Sequence, residues 1–540
     1  MQALTVSKAS TPVLNDSRSI SYAPGGDKMD PKAFTIPLPL FPRLIDWYTR
    51  RENDGALLAT ILRKINRIRN KVAPHAVQRK WDVVLLGGLM GSLFSSLQFF
   101  ISPYIGSLSD KYGRKRVLLL SMFGNIASAI VWIQSTSFES FLLARAIGGI
   151  SEGNVQLSIA ILSDITPPAR RSAALMFVGI AFSICFTIGP PIGAYFSIHP
   201  FPLSFTRGMN IYATPAILTL ILLLVETVFL ALFLPETRGT TLVSEDGEIA
   251  RGRYEKLSLG DRKLLLKRLG SLHFSFLALF SGVEFTLTFL TFDLLDWNNS
   301  QNGRLLGLIG ISAALLQGGY VRRATSVVGE PTFIRRGMVS CATALIILSM
   351  IPHILQGNSN SKVTQTDVRA AVRMLYAAAA LLSFTSATVV SSLTALASLQ
   401  CDEEISLPSP KPTIGTDIAT AQAGSSSIRH RQTEPIAKGA RSKAMVESAA
   451  GKFNAEGKKD RGAIKDNITP VRPPEKILTG RALGEFRSSG QLGRAIGPLM
   501  ACFAYWTVGP SVTYAATALA MCALVWRTST VMKSLKRIAA

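Results

Sequence analysis

Five ionisable residues lie inside the long apolar stretches of this chain, and their chemistry most needs an explanation. They are Arg145, Glu152, Glu226, Glu284 and Arg494. A charged group in hydrocarbon is costly unless it faces a cavity or a partner, so we predict that this set does proton or substrate work. The alternative role for each member is to hold neighbouring helices together. A functional role is favoured for two of them, Arg145 and Glu284. Glu236 and Asp293 lie near the ends of apolar stretches, where we expect them at the membrane interface.

A charged turn with two glycines separates the first two of these long apolar stretches. It reads Gly106-Ser-Leu-Ser-Asp110-Lys-Tyr-Gly113-Arg114-Lys-Arg116. The turn places a carboxylate and a basic cluster at the surface of a membrane.

The composition is that of a protein with many membrane spans. Of 540 residues, 48% are hydrophobic and 17% are charged. The apolar residues gather into runs of about 18 to 25, the length that crosses a bilayer as a helix. The net charge is +24, but the basic residues lie between the apolar runs rather than on one face. The charge therefore indicates membrane topology and excludes nucleic acid as the expected partner.

The apolar runs predict an all-α fold with eleven full spans and a short first one. The full spans lie near 82–105, 117–135, 140–163, 173–197, 211–234, 271–294, 303–320, 337–355, 372–398, 486–507 and 510–528. Only 33–48 is available for the first, and sixteen residues of helix reach about 24 Å of the roughly 30 Å hydrocarbon core. We expect a truncated first helix.

These runs also divide the chain into segments. The expected segments are a polar cytosolic tail at 1–32, an amino-terminal bundle at 33–234, a cytoplasmic loop at 235–270, a carboxyl-terminal bundle at 271–400 and 481–528, a disordered cytoplasmic insertion at 401–480 and a cytoplasmic tail at 529–540. With the Asp110 turn in the cytoplasm, nearly every basic loop falls on the same side. The loop 49–81 is the exception, since its many arginines and lysines would lie outside.

The two halves share a short internal repeat. Ile188-Gly189-Pro190-Pro-Ile-Gly193 in the fifth span matches Ile496-Gly497-Pro498 in the eleventh. Glycine and proline let a helix bend and let a neighbour approach closely. Equivalent helices in two halves suit an axis along the membrane normal, with a substrate site between the halves near the midplane.

The turn from Gly106 to Arg116 resembles the loop between the second and third helices of major facilitator superfamily transporters. The resemblance implies two six-helix bundles and a latch, in which Arg114 pairs with Asp164 and Asp110 faces the amino-terminal end of the eleventh helix. The Gly-Pro segment of the fifth span resembles the antiporter motif of drug-proton exchangers, with Cys185 and Ala194 in place of two of its glycines. Arg145-Ala-Ile-Gly-Gly149 resembles a fourth-helix motif associated with proton coupling.

The carboxyl end narrows the resemblance. The segments 483–498, 282–291 and 302–307 are similar to the tetracycline-resistance-protein-like transporters of eukaryotes, a branch linked to organic anion and drug efflux. The resemblance implies a secondary active transporter that exports small organic molecules by proton exchange and alternating access.

Two other functional classes stay open. A facilitative or symporting carrier of sugars is one, because Leu234-Pro-Glu-Thr-Arg-Gly239 is similar to a sugar-porter signature. A scaffold or receptor without transport is the other, because the first helix is short. The chain has no phosphate-binding glycine loop and no nucleophile or metal constellation, so we expect neither an enzyme nor a cofactor nor a metal. The expected partners are protons, a small-molecule substrate and the lipid bilayer, and we expect a monomer in a plasma membrane or a vacuole-like membrane.

Overall fold

The computed structural model describes residues 48, 57–72, 78–198, 213–238, 258–297, 299–356, 364–401 and 477–539. Their regular structure is helical throughout, without a strand in these ranges. The helices are α1 (Leu57–Val72), α2 (Gln78–Tyr112), α3 (Arg114–Ile133), α4 (Phe138–Ser151), α5 (Asn154–Ile165), α6 (Pro168–Ile198), α7 (Ala213–Phe233), α8 (Leu259–Leu295), α9 (Asn299–Leu315), α10 (Arg322–Val328), α11 (Glu330–Gln356), α12 (Gln365–Leu399), α13 (Thr479–Thr507) and α14 (Pro510–Ala539). A π-helical turn, Leu316–Val321, joins α9 to α10.

Seven of the described helical segments are long and apolar enough to cross a membrane. They are α3, α7, α8, the segment Gln301–Thr325 that runs through α9 and α10, α11, α12 and α14. The all-α membrane fold is therefore confirmed, whereas the count of eleven full spans stays a prediction. The expected short first span lies outside the described residues except for Tyr48, and so does the expected insertion except for its two ends.

The fourth span is not the single helix that its apolar run predicts. It is divided into α4 and α5 because Glu152 has a non-helical ψ of 80°. The Gly153 N–H donates to the Ser151 carbonyl oxygen at 2.8 Å, which closes a tight turn between the two helices. A side chain at Gly153 would lie 2.6 Å from the Ser121 hydroxyl, so close packing against α3 requires glycine at the break.

The described helices belong to one compact unit, and its two halves meet along α2 and α13. The hydroxyl of Ser92 on α2 donates to the Ala495 carbonyl oxygen on α13 at 2.6 Å. In return, the hydroxyl of Ser488 on α13 donates to the Phe99 carbonyl oxygen on α2 at 2.7 Å. The largest core lies in the second half and takes in Ile159, Ala160 and Leu175 from the first.

Candidate functional site

At one end of the bundle, where α2 gives way to α3, Asp110 holds the first turn of α13. We call this the Asp110 end. The Asp110 carboxylate accepts hydrogen bonds from the backbone N–H groups of Gly480 at 2.9 Å and of Arg481 at 2.7 Å. Both groups belong to the first turn of a helix, whose partial positive charge favours an anion. A carboxylate of the first half therefore caps a helix of the second half.

Arg114, the first residue of α3, ties this carboxylate to a second one. Its guanidinium donates to Asp110 at 2.7 Å, to Asp164 at 2.8 Å and to the Ser109 hydroxyl at 2.6 Å. The Arg114 side chain is only 4% exposed, so these contacts replace its water. One connected network thus contains the pair of Arg114 with Asp164 and the contact of Asp110 with α13, the two contacts that the resemblance implies.

Glu236 closes the same network from the end of α7. Its carboxylate accepts hydrogen bonds from the backbone N–H of Arg114 at 2.7 Å and of Lys115 at 3.2 Å, which caps the start of α3. Burial alone would raise the pKa of Glu236, but four backbone N–H groups hold it below its usual value. Gly113, between the two helices, has a φ of 104°, and a side chain there would strike the Glu236 carboxylate.

The backbones of α2 and α13 approach closely beside Asp110. A Cβ atom on Gly484 would lie 2.6 Å from the Ser102 carbonyl oxygen, a distance that real Cβ atoms do not reach. A Cβ atom on Gly106 would overlap the Gly480 carbonyl group. Glycine at these positions lets the two halves touch through their main chains.

Two further contacts join the halves at the Asp110 end. The hydroxyls of Ser163 on α5 and Ser398 on α12 lie 2.7 Å apart. The hydroxyl of Ser172 on α6 donates to the Glu330 carboxylate on α11. In this conformation the two halves are therefore held together at this end.

A cavity of about 630 Å³ lies between the halves, with residues of both halves in its wall. Most of the wall is apolar, with Phe182 from the first half and Phe280 and Phe486 from the second. The charged and titratable residues of the wall among those described are His273, Glu284, Arg304, Arg487 and Arg494. Three arginines against one carboxylate give this wall a positive charge, which suits an anion.

Arg487 and Arg494 stand seven positions apart on α13, so they share one face of that helix. Each interacts with a carboxylate of a different half: Arg487 with the charge of Glu152, and Arg494 with the charge of Glu284. Neither combination forms an ion pair within 4.0 Å among the contacts described. Both guanidinium groups therefore keep hydrogen-bond donors for a ligand.

His273 adds a polar side chain to the wall. Its ring stacks on the ring of Phe486 with 4.4 Å between the centroids, and its Nδ1 atom lies 3.2 Å from the Phe486 carbonyl oxygen. The Nε2 atom is buried without a hydrogen-bond partner in the described part of the chain.

The five intramembrane residues that the sequence singles out do not all meet at the cavity. Glu284 and Arg494 line it, and Glu152 lies at the break between α4 and α5, within electrostatic reach of Arg487. Glu226 on α7 is exposed, and its charge interacts with that of Glu152. Arg145 is absent from the wall as far as the described residues define it. Its guanidinium lies over the Trp132 ring, 4.9 Å from the centroid.

The Gly-Pro segments lie inside helices that continue through them. Gly189, Pro190 and Gly193 belong to α6, and Gly497 and Pro498 belong to α13. A side chain at Gly497 would overlap the Ala278 carbonyl oxygen of α8, so this glycine allows α8 and α13 to pack closely. The surroundings of Gly189, Pro190 and Gly193 lie outside the part of the structure that is described.

Sequence reasoning missed Arg304, Arg487 and His273 as cavity residues. Arg304 and Arg487 lie near the ends of predicted spans, where a basic residue is expected at the membrane surface. The seven-residue spacing of Arg487 and Arg494 was the available signal, because it puts both arginines on one helical face. No comparable signal marked His273.

A model of the Major Facilitator Superfamily matches residues 74–407 of this chain. Major facilitator superfamily domain-containing protein 10 of Mus musculus is 34% identical over 338 residues, which cover 59% of this chain and 70% of that protein. Tetracycline resistance protein, class H, of Pasteurella multocida is 26% identical over 269 residues, with 49% and 64% covered.

Among solved structures, the crystal structure of the human organic anion transporter MFSD10 (TETRAN) superposes with a TM-score of 0.62. The sequence identity is 26%, and the match covers 91% of this chain and 94% of that one. The match to the family model and the similarity of both sequence and fold agree with the network at the Asp110 end and with the cavity between the halves. This chain belongs to the major facilitator superfamily of transporters, not enzymes, and is a multi-pass membrane protein related to MFSD10 and to the tetracycline efflux proteins.

Proposed function

We propose that the chain is a secondary active transporter that exports small organic anions by alternating access. The observation that carries this proposal is the cavity wall, where, among the described residues, Arg304, Arg487 and Arg494 outnumber the one carboxylate, that of Glu284. Most of the rest of the wall is apolar, with several phenylalanine and leucine side chains, which suits the apolar body of an organic anion. The proposal agrees with the description of the solved relative as an organic anion transporter and with the efflux proteins among the relatives.

Alternating access requires that the halves separate at one end while they close at the other. Gly106, Asp110, Gly113, Arg114 and Asp164 form the proposed latch of the closed Asp110 end. In a plasma membrane or vacuole-like membrane with the Asp110 turn on the cytoplasmic side, the closed end is the cytoplasmic one. The Gly-Pro segments at Gly189, Pro190, Gly193, Gly497 and Pro498 are the proposed sites of close packing between moving helices.

We propose proton exchange as the driving reaction, with Glu152, Glu226 and Glu284 as the proton carriers and Arg145 as a residue that assists them. In such a cycle, the transporter releases its substrate on one side of the membrane and then binds a proton, which it carries back to the other side. The chain provides three carboxylates between the Asp110 end and the far end of the bundle, and Glu284 is the one that lines the cavity.

A second coupling scheme is favoured by one observation. The charge of Glu284 interacts with that of Arg494, so a proton on Glu284 would leave Arg494 more positive toward an anion. A proton and an anion would then bind together, and the two would move in the same direction. Exchange and cotransport therefore predict opposite signs of proton movement.

Proteoliposomes that contain the purified chain and an internal pH dye test both schemes. Radiolabelled p-aminohippurate, tetracycline and glucose serve as anion, drug and sugar probes. We expect Arg494→Gln to lower the uptake of p-aminohippurate by about tenfold or more, since hydrogen bonds to charged groups contribute about 1.5–3 kcal/mol. The matched control is Arg336→Gln, because Arg336 is exposed on α11 outside the described wall of the cavity.

The pH dye then gives the coupling. Proton movement opposite to p-aminohippurate supports exchange, and proton movement with it supports cotransport; Glu284→Gln should abolish either one. Glucose uptake in place of p-aminohippurate would support the sugar carrier and contradict the proposal. If the folded chain in the vesicles takes up none of the three probes and moves no protons, the result would favour a scaffold without transport.

A further inference from the structure

The helix α1 has one apolar face and one basic face. Its sequence, LLATILRKINRIRNKV, contains five arginines and lysines and no aspartate or glutamate. Its apolar residues recur at helical spacing, which gives the two faces opposite character. Proton and substrate chemistry at the cavity makes no use of this helix.

The apolar face of α1 is already occupied by the rest of the protein. Leu58 is 1% exposed and Ile65 is 8% exposed. They pack in one cluster with Tyr48, Phe138 and Phe141. The helix therefore docks on the bundle through this face, and the face is not available for insertion into lipid.

The helix α1 lies beside the end of α3 and the start of α4. Phe138 begins α4, and Trp132, which also contacts the cluster, stands one residue before the end of α3. α3 starts at the Asp110 end, so α1 lies at the opposite end of the bundle. Tyr48 and Trp132 are residue types that concentrate at the interface between membrane and water. The helix is thus placed where lipid headgroups lie.

The basic face of α1 points away from the bundle. Arg63, Lys64 and Arg67 are exposed. Arg63 donates to the Ala59 carbonyl oxygen and the Thr60 hydroxyl of its own helix. Within the described part of the chain, none of the three forms an ion pair with a carboxylate. Three positive charges therefore stand at headgroup level without a negative partner among the described residues.

We propose that α1 binds anionic phospholipid headgroups of the leaflet at the end of the bundle opposite Asp110. The docked apolar face fixes the helix, and the basic face meets the phosphates of the surrounding lipid. Charge complementarity selects anionic over zwitterionic lipid. On this side of the membrane the other loops carry almost no lysine or arginine, and the loop 49–81 is the exception. The proposal explains the exception, because the charges of this loop serve lipid binding rather than topology.

The test measures lipid binding to the full chain in detergent by native mass spectrometry, with phosphatidylglycerol and phosphatidylcholine titrated separately. The test variant is Lys64→Gln/Arg67→Gln. A basic residue near an anionic surface contributes enough to change affinity about fivefold, so we expect phosphatidylglycerol to bind at least about fivefold more weakly to this variant. Binding of phosphatidylcholine should not change.

Two controls separate charge from structure. Lys64→Arg/Arg67→Lys keeps both charges and should bind phosphatidylglycerol like the wild type. Arg369→Gln/Arg373→Gln removes two exposed charges, one helical turn apart, from α12 and should also leave binding unchanged. Equal binding by the test variant and the wild type would overturn the proposal. So would an equal loss in the α12 variant, or displacement of the lipid by inorganic phosphate, which would indicate a general or free-anion site.

Discussion

The Asp110 carboxylate both caps α13 and pairs with Arg114, so the loss of its charge should have a larger effect than the loss of a charge at an ordinary surface residue. It accepts from two backbone N–H groups of α13 and from the guanidinium of Arg114. An amide of the same shape could keep at most part of this pattern, because its NH₂ group would face donors. The contact between Asp110 and α13 joins the two halves, whereas the Arg114 contact lies within one half.

Asp110→Asn should therefore favour the conformation that is open at the Asp110 end without unfolding the protein. A charge at a helix amino terminus contributes up to about 2 kcal/mol when partly buried, so the ratio of open to closed molecules should rise by about tenfold or more. The reporter is Ala397→Cys, which is fully buried where α12 ends, in a chain whose own cysteines are replaced. Its rate of thiol labelling should rise with the open population.

Glu485→Gln provides the matched control for this charge. Glu485 is 56% exposed and pairs with Arg481 on the same helix, at the same end of the bundle. Exposed pairs contribute about 0–1 kcal/mol, so the labelling rate should stay close to that of the parent. An unchanged rate in Asp110→Asn would show that the carboxylate does not hold the halves together.

The resemblance of the Gly106–Arg116 turn to the superfamily loop named Asp110, Arg114 and Asp164 as partners, and their side chains lie in contact, while their role as a latch stays a prediction. Sequence reasoning named only part of the cavity wall. The cavity wall depends on how six or more helices are turned about their axes, which apolar stretches do not specify. Arg145 illustrates the difference: its guanidinium lies over the rings of Trp132 and Phe141, without an ion pair to a carboxylate among the described residues. Aromatic residues in an apolar run give no sign of such a role.

The crossing of α2 and α13 is the element that makes the closed end possible. Gly106, Gly480 and Gly484 bring the two backbones together where Asp110 reaches the first turn of α13. A wider separation would pull the N–H groups of Gly480 and Arg481 away from the carboxylate. The helix crossing and the electrostatic contact therefore depend on each other.

Gly484→Ala should separate the two helices at this crossing. Its Cβ atom would lie 2.6 Å from the Ser102 carbonyl oxygen, and a backbone atom cannot turn aside as a side chain can. Overpacking of this kind costs about 1–3 kcal/mol, so the distance between spin labels on the ends of α2 and α13 should shift toward longer values. Gly91→Ala on α2, the partner helix of this crossing, is the control, because nothing lies within 4 Å of its Cβ position. Identical distance distributions for the two variants would contradict the argument.

Apolar patterning predicted where the long helices lie, but not where a helix breaks. The break at Glu152 and Gly153 falls inside the predicted span 140–163, where Gly148 and Gly149 stay within α4, so a glycine in this span does not by itself indicate an end. It is the packing of Gly153 against Ser121 and Ile105 that fixes the turn. For the same reason α8 begins at Leu259, ahead of its predicted start at 271, since a charged first turn is not apolar.

In the whole molecule, the Asp110 end is held at separate places by contacts between the halves. One joins α2 to α13 through Asp110, and another joins α6 to α11 through Ser172 and Glu330. The cavity takes wall residues from α6 in the first half and from α8 and α13 in the second. Any conformational change that opens the cavity toward the Asp110 end must therefore break both contacts.

Because the two contacts use different helices and share no residue, their effects on the closed state should add. We expect Glu330→Gln alone to raise the labelling of Ala397→Cys by a smaller factor than Asp110→Asn, since it weakens a single hydrogen bond to a charged group. In the double variant the two factors should multiply, as the free energies of distant and independent sites add within about 0.5 kcal/mol. A double variant that labels no faster than Asp110→Asn alone would mean that one contact opens only after the other, and the Asp110 end would then open in order rather than as a unit.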